Sequence, residues 1–190
     1  MNLLVLGPQG AGKGTQAKRI SAEHGIPHVS TGDMFRALDT STEVGRRIKA
    51  IMDAGDLVPD GETVAMIEDR LSQPDAADGF VLDGFPRNLA QAEALDAMLG
   101  EIGRGLDAIL FFDVPDDVGM ERALKRAALE GRSDDTPEAI ARRLATYHRE
   151  TEPVVEHYRA TAKLVPLHAG RSVEEVWAEI EAALQQVAAA

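Results

Sequence analysis

The sequence predicts an α/β fold, a parallel β-sheet with helices on both faces, and three observations carry that expectation. Short, continuously apolar runs such as "NLLVL" (2–6), "FVLD" (80–83) and "DAILFFDV" (107–114) read as strands buried on both faces. Stretches with helical spacing lie between them, so strands and helices alternate, as they do where crossover helices join parallel strands. The first run also ends in a glycine-rich turn, "GPQGAGKGT" (7–15), that opens a helix.

In chain order, "NLLVL" is the first strand, and "TQAKRISAEHG" places apolar or small residues at helical spacing up to Gly25. "IPHVS" (26–30) is a short second strand, followed by helical stretches over 31–39 and 42–54. Thr40 and Glu43 have the spacing of a capping box for the second of these. "AGDLVPDG" breaks the pattern before a helix over 62–72. "FVLD" is the third strand, "NLAQAEALDAML" (88–99) an amphipathic helix, and "DAILFFDV" the fourth strand, with a helix behind it to about Arg126. "AALEGRSDD" is a polar excursion. Thr136 then caps a long helix with Pro137 at its first position, where a missing N–H costs nothing. "AKLVPLH" is the fifth strand, and a last helix, "SVEEVWAEIEAAL", starts from the box Ser172–Glu175. Ligands of such sheets bind at the carboxyl ends of the strands.

The 190 residues suffice for one domain with a full core, and 44% apolar with 27% charged residues is an ordinary globular balance. No apolar run reaches the roughly 20 residues that cross a bilayer, and the N-terminus lacks the features of a signal peptide. With no cysteine, disulfides and thiolate metal sites are excluded, and the expected location is the cytoplasm. A net charge of −12 argues against a nucleic-acid binder. It also means that any phosphate site must gather its cations locally. Five of the twenty cations are lysine and fifteen arginine, whose planar fork grips oxyanions in pairs; pairing on an acidic surface is the alternative use.

The loop nearly matches G-x-x-x-x-G-K-[ST], a pattern in which backbone N–H groups cradle phosphates and the last hydroxyl takes Mg²⁺. Gly7, Gly12 and Lys13 fall in register, but Gly14 stands where the hydroxyl belongs, and Thr15 follows it. Asp83 ends the third strand, where a carboxylate faces the loop and orients Mg²⁺ or its waters; the alternative is an aspartate that caps the turn before Gly84. Arg87 points toward the same cleft. Arg122, Arg126, Arg132 and Arg143 flank the polar excursion beside Asp134 and Asp135, either as a site or as a solvated face. The five histidines show no metal spacing and read as surface or helix-face residues. A site rich in arginine and poor in general bases suits an acceptor that is itself a phosphate, already ionised near neutral pH.

"GPQGAGKGTQA", "VSTGDMFR", "IMDAGDLVPD", "GFVLDGFPRNLAQA", "GRSDDTPEAIARRL" and "TEPVVEHY" together resemble the adenylate kinase family, a branch of the nucleoside monophosphate kinases, from residue 2 to about 185. The resemblance implies a P-loop three-layer sandwich with a five-stranded parallel sheet, a helical NMP-binding insert (30–59) and a short lid (126–135), on a core of 1–29, 60–125 and 136–190. It implies the reaction MgATP + AMP ⇌ 2 ADP, in a cytoplasmic monomer. Gly10, Ala11, Gly12, Lys13, Gly14 and Thr15 would take the ATP phosphates, and Arg122, Arg126 and Arg171 the rest of that nucleotide. Thr31, Gly32, Arg36, Asp56, Leu57, Val58, Gly84, Phe85, Pro86, Arg87 and Gln91 would form the AMP site, with Arg132 and Arg143 at its phosphate and Phe35 and Met52 as apolar walls. Lys13, Arg87, Arg126, Arg132 and Arg143 would be catalytic. Asp83 would reach Mg²⁺ through water, so Gly14 is a normal member of such a loop.

Two features depart from the family. The lid is short and cysteine-free, which implies no structural zinc, and Gln9 and Ala90 replace common prolines. A UMP/CMP kinase of the same fold is the alternative; Thr31 and Gln91 resemble the adenine-reading pair rather than the alanine and asparagine of pyrimidine relatives. A binding module that has lost transfer is a second alternative, against which stand Lys13, Asp83 and the lid arginines.

Overall fold

The computed structural model describes residues 1–132 and 134–189; Ser133, inside the expected lid, and Ala190 lie outside the described residues. Five strands, β1 (Asn2–Leu6), β2 (His28–Ser30), β3 (Phe80–Asp83), β4 (Ala108–Asp113) and β5 (Leu164–His168), form one sheet in the order β2-β3-β1-β4-β5. Every pairing is parallel. The chain leaves β1 toward β2, returns through β3, and crosses β1 to reach β4. The loop after β1 therefore opens beside the end of β3, where Val5 pairs with Asp83.

The pleat sorts the apolar residues of β1 onto two cores. Leu3 and Val5 pack with Ala17, Ile20, Phe112, Trp177 and Ile180 under α1 (Lys13–His24) and α9 (Val173–Ala189). Leu4 and Leu6 pack on the other face with Leu82, Leu95, Leu99, Val154 and Tyr158, beneath α4 (Asp60–Leu71), α5 (Leu89–Glu101) and α8 (Glu152–Arg159). Phe35, Ile48 and Val58 make a small separate cluster around α2 (Thr31–Arg36) and α3 (Glu43–Asp53). The remaining helices are α6 (Asp116–Glu130) and α7 (Pro137–Thr146). This is the expected three-layer sandwich.

Four local expectations shift. The cap of α3 is Thr42, not Thr40: its Oγ1 accepts from Gly45 N–H at 3.0 Å and donates to Asp39 O at 2.7 Å. A turn in which Ser41 N–H donates to Asp39 Oδ1 at 2.8 Å occupies the residues before it and moves the helix start along the chain. Helix α6 runs past Arg126 to Glu130, because nothing in "AALE" opposes a helix until Gly131 ends it at φ 62. Much of the excursion is thus the last turn of α6. The long helix after Thr136 is interrupted by a π turn over Tyr147–Thr151, which accommodates Pro153, a residue with no N–H to donate and a ring that crowds the preceding turn. Strand β2 starts at His28, after Pro27, which cannot donate to a ladder. The caps at Thr136 and Ser172 form as expected: Ala139 N–H donates to Thr136 Oγ1 at 3.1 Å and Ser172 N–H to Glu175 Oε2 at 3.0 Å.

Candidate active site

The carboxyl ends of the strands open into one cavity of about 870 Å³. Its floor is the loop between β1 and α1. Gly10 adopts φ +79, and a Cβ there would run into the carbonyl of Gly119, so only glycine lets the loop lie backbone to backbone on α6. Gly12 starts α1 in the left-handed region at φ +89, which turns the first N–H groups of the helix toward the cavity. Lys13 wraps across the loop, its Nζ donating to Gly7 O and Pro8 O at 2.7 Å each. Burial lowers the Lys13 ammonium to about 8; Arg87 and Arg126 push the same way, and Asp83 opposes them.

Asp83 closes β3 beside this lysine. Burial alone would raise its carboxyl, but the hydrogen bond from His28 and the charges of Lys13, His28 and Arg87 hold it below the usual carboxylate range. Gly14 lies directly beside this carboxylate: a Cβ there would be in van der Waals contact with Asp83 Oδ2, at 3.5 Å. His28 corrects the expectation of surface histidines: on β2, with its side chain 10% exposed, it brings Nε2 to 3.3 Å from Asp83 Oδ2. The available signal was its place two residues before Ser30, the partner of Asp83 in the sheet. His148 and His168 are exposed, as expected.

One side of the cavity is built on the turn after β3. Thr31 Oγ1 donates to Gly84 O at 2.9 Å, and Arg87 Nε to the same oxygen at 2.7 Å. Gln91 Oε1 accepts from Arg87 N–H at 2.8 Å, while its Nε2 donates to Asp60 Oδ1 at 2.7 Å. Thr151 Oγ1 holds the Arg87 carbonyl at 2.7 Å. Burial makes the Arg87 guanidinium easier to deprotonate than an ordinary arginine, and Arg143 adds to this against the pull of Asp83. Gly32, Arg36, Asp56, Leu57, Val58 and Pro86 line the same side, with Phe35 and Met52 as apolar wall. The Phe85 side chain does not reach the cavity; it is fully buried in the core beneath.

The opposite side carries Arg122, whose guanidinium donates to the carbonyls of Ala169 (2.6 Å), Gly170 (3.0 Å) and Arg171 (3.0 Å). The Arg171 side chain turns away to Glu179 at 2.9 Å, which leaves its backbone near Arg122.

Between the two sides lies an arginine–aspartate cluster. Asp135, its side chain 0% exposed, accepts from Arg143 Nη1 at 2.7 Å on Oδ1 and from Arg126 Nη2 at 2.6 Å on Oδ2. Asp134 accepts from Arg143 Nη2 at 2.9 Å and from Arg36 Nη1 at 3.5 Å. Burial works against the Asp134 carboxylate, yet Arg143 and Arg36 hold it below the usual range. Arg132 also lines the cavity but pairs with Glu130 at 2.7 Å. The cations of an acidic chain are thus concentrated at one place, as a phosphate site requires. Asp60, which supports Gln91, had no motif to mark it; Gln9 lies inside the glycine-rich loop and departs from the family there, but nothing in the sequence pointed it at Asp135. Among the described residues no three or more His, Cys, Asp or Glu side chains are grouped to hold a metal ion, and no helix is long and apolar enough to cross a membrane.

Strand, glycine-rich loop, helix, a carboxylate at the end of the neighbouring strand and converging arginines define a P-loop phosphotransferase. The comparisons narrow the class. The profile of the family described as adenylate kinase matches residues 5–163. The adenylate kinase of Stenotrophomonas maltophilia (strain K279a) is 47% identical over 186 residues, covering 97% of this chain and all of that one. That of Caulobacter vibrioides (strain NA1000 / CB15N) is 47% identical over 190 residues, covering both chains fully. An adenylate kinase from the more distant Archaeoglobus fulgidus is 41% identical over 215 residues, covering 98% of this chain and 99% of its own. The chain belongs to the adenylate kinase family. It is an ATP:AMP phosphotransferase, and a UMP/CMP kinase is not favoured.

Proposed function

We propose that the cavity holds ATP and AMP end to end, with the transferring phosphoryl group between Lys13 and the arginine cluster. In this reading Gly10 to Thr15 bind the donor phosphates. Arg122, Arg126 and the backbone at Arg171 take the remainder of ATP. The turn 84–87, Thr31, Gly32, Arg36, the turn 56–58 and Gln91 take AMP, with Phe85 acting only through the backbone it anchors. The observation that carries the reading is geometric: Lys13, Arg36, Arg87, Arg122, Arg126, Arg132 and Arg143 all line one cavity with the glycine-rich loop, the surroundings that two polyanionic nucleotides need.

The acceptor phosphate is ionised near neutral pH, so no base is needed to activate it. Arg87 and Arg143 orient its oxygens, the loop N–H groups fix the donor, and transfer follows from in-line positioning. Lys13, Arg126, Arg132 and Arg143 then meet charge that develops on the equatorial oxygens. Mg²⁺ bound with the triphosphate would neutralise charge on its oxygens, and Asp83 would hold the ion through its waters. The residues present fit such an ion: Asp83 is a carboxylate held below the usual range beside the loop, a hard oxygen acceptor for metal-bound water. Residues 30–59 act as a mobile AMP-binding insert and 126–135 as a lid, in a cytoplasmic monomer that needs no structural zinc.

Lys13→Ala tests the assignment. The variant is expected to fold normally and to lose most transferase activity in a coupled assay. A steady-state rate within about threefold of wild type would contradict the placement of the donor phosphates.

A further inference from the structure

We propose that Gln9 is a positioning residue for phosphoryl transfer, tying the phosphate loop to the carboxylate that orients Arg126 and Arg143. The inference rests on the reading of those two arginines as the pair at the transferring group. Gln9 touches neither nucleotide in that reading and acts through Asp135.

Gln9 sits in the loop where it lies against α6: a Cβ on Gly119 would come within 2.8 Å of Gln9 O. Its main chain is therefore set by close packing. From there Gln9 Nε2 donates to Asp135 Oδ1 at 2.7 Å, which makes Gln9 the third donor residue on a carboxylate already bound by Arg143 Nη1 at 2.7 Å and by Arg126 Nε and Nη2 at 3.1 and 2.6 Å. A carboxylate only accepts, so the amide orientation is determined. Gln9 Oε1 is buried and has no hydrogen-bond partner among the described residues, so the amide is held from its nitrogen end.

The three donors come from three elements: Arg126 from α6, Arg143 from α7 and Gln9 from the loop. With the arginines alone, Asp135 is referred to the loop only indirectly, through the Arg126 side chain and the two turns of α6 between Arg126 and the loop contact at Gly119. The Gln9 bond refers the whole cluster to the loop that cradles the donor phosphates. Catalysis by positioning is steep in distance, with about 1 Å of misplacement worth up to about a hundredfold.

Gln9→Met keeps the length of the side chain and removes the donor. It is expected to lower kcat roughly tenfold, to leave KM for ATP and AMP within about twofold, and to leave the melting temperature unchanged. A kcat at or above wild type, or a loss carried by KM, would overturn the proposal. In an Asp135→Ala background, which removes the acceptor, Gln9→Met is expected to add no further loss, since both act on one contact; a full, additive loss there would overturn it as well. Arg143→Lys, measured alongside, keeps the charge without the fork. Wild-type activity in that variant would mean that the arginine reading has failed. Its loss together with an unaffected Gln9→Met would mean that only the role of Gln9 has failed.

Discussion

The Gln91 side chain holds the main chain of Arg87: Oε1 accepts from the Arg87 N–H at 2.8 Å, and the other end of the amide is anchored on Asp60 at 2.7 Å. Gln91 is 2% exposed, and its removal leaves the Arg87 N–H without its partner and Asp60 with only the bond from Asn88 Nδ2 at 3.0 Å. Gln91→Ala is expected to cost about 1–3 kcal/mol in chemical denaturation and to raise KM for AMP with KM for ATP unchanged. Unchanged stability and unchanged KM for AMP would show that Arg87 needs no such support.

Lys13 gives the enzyme a pH signature. Its value of about 8 in the folded chain lies below the ordinary 10.5, so between these two the unfolded chain holds a proton that the folded chain has released. Stability from this group therefore rises with pH across that window, and the cost of burying the charge is fully felt below it. Bound phosphates favour the charged lysine. The value of kcat/KM for ATP is thus expected to fall from about pH 8 upward, while kcat persists to higher pH. Profiles recorded from about pH 6 to 10 check this; coincident alkaline limbs, or none, would contradict it.

Two arginines at the same cavity should respond differently to removal. Arg143 neutralises Asp134 and Asp135, whose side chains are 6% and 0% exposed. Arg143→Ala is expected to cost stability at the low end of the roughly 3–5 kcal/mol seen for broken buried pairs, since Arg126 and Gln9 still hold Asp135, and to lower kcat as well. Arg132 pairs with Glu130, 51% exposed, so Arg132→Ala should leave stability unchanged. Its kcat should nevertheless drop, on the order of a thousandfold, far more than KM for AMP rises. Denaturation curves beside steady-state kinetics separate the two; an effect of Arg132→Ala confined to KM would mean that it binds the ground state alone.

Where local rules decide an element, the sequence showed it. "NLLVL" is buried along its whole length and "FVLD" ends on Asp83 beside the loop, because a strand covered on both faces must be apolar throughout and its first polar residue marks the sheet top. The Ser172 and Thr136 caps were legible for the same reason. Some of what escaped was local, and the rest depended on partners distant in sequence. Asp39 selects Thr42 over Thr40 through a turn with no strong sequence mark. His28 reaches Asp83 across a strand pair separated by 55 positions, and Gln9 reaches Asp135 across 126. Spacing along the chain carries no trace of such contacts. Phe85, inside the stretch resembling an AMP site, turns into the core cluster of Leu82 and Leu95, while the Gly84 carbonyl beside it accepts from Arg87.

A cavity that transfers phosphoryl groups from ATP to AMP must choose its acceptor by the base. Thr31 is 1% exposed and Gln91 keeps one amide hydrogen beyond its bond to Asp60, so a base with the wrong donor pattern leaves buried groups unpaired at roughly 1–3 kcal/mol each. Two such losses amount to about tenfold to ten-thousandfold. With ATP as donor and AMP, GMP, CMP and UMP compared under one condition, AMP is expected to exceed CMP and UMP by at least about a hundredfold in kcat/KM. Comparable values for CMP or UMP would contradict the account.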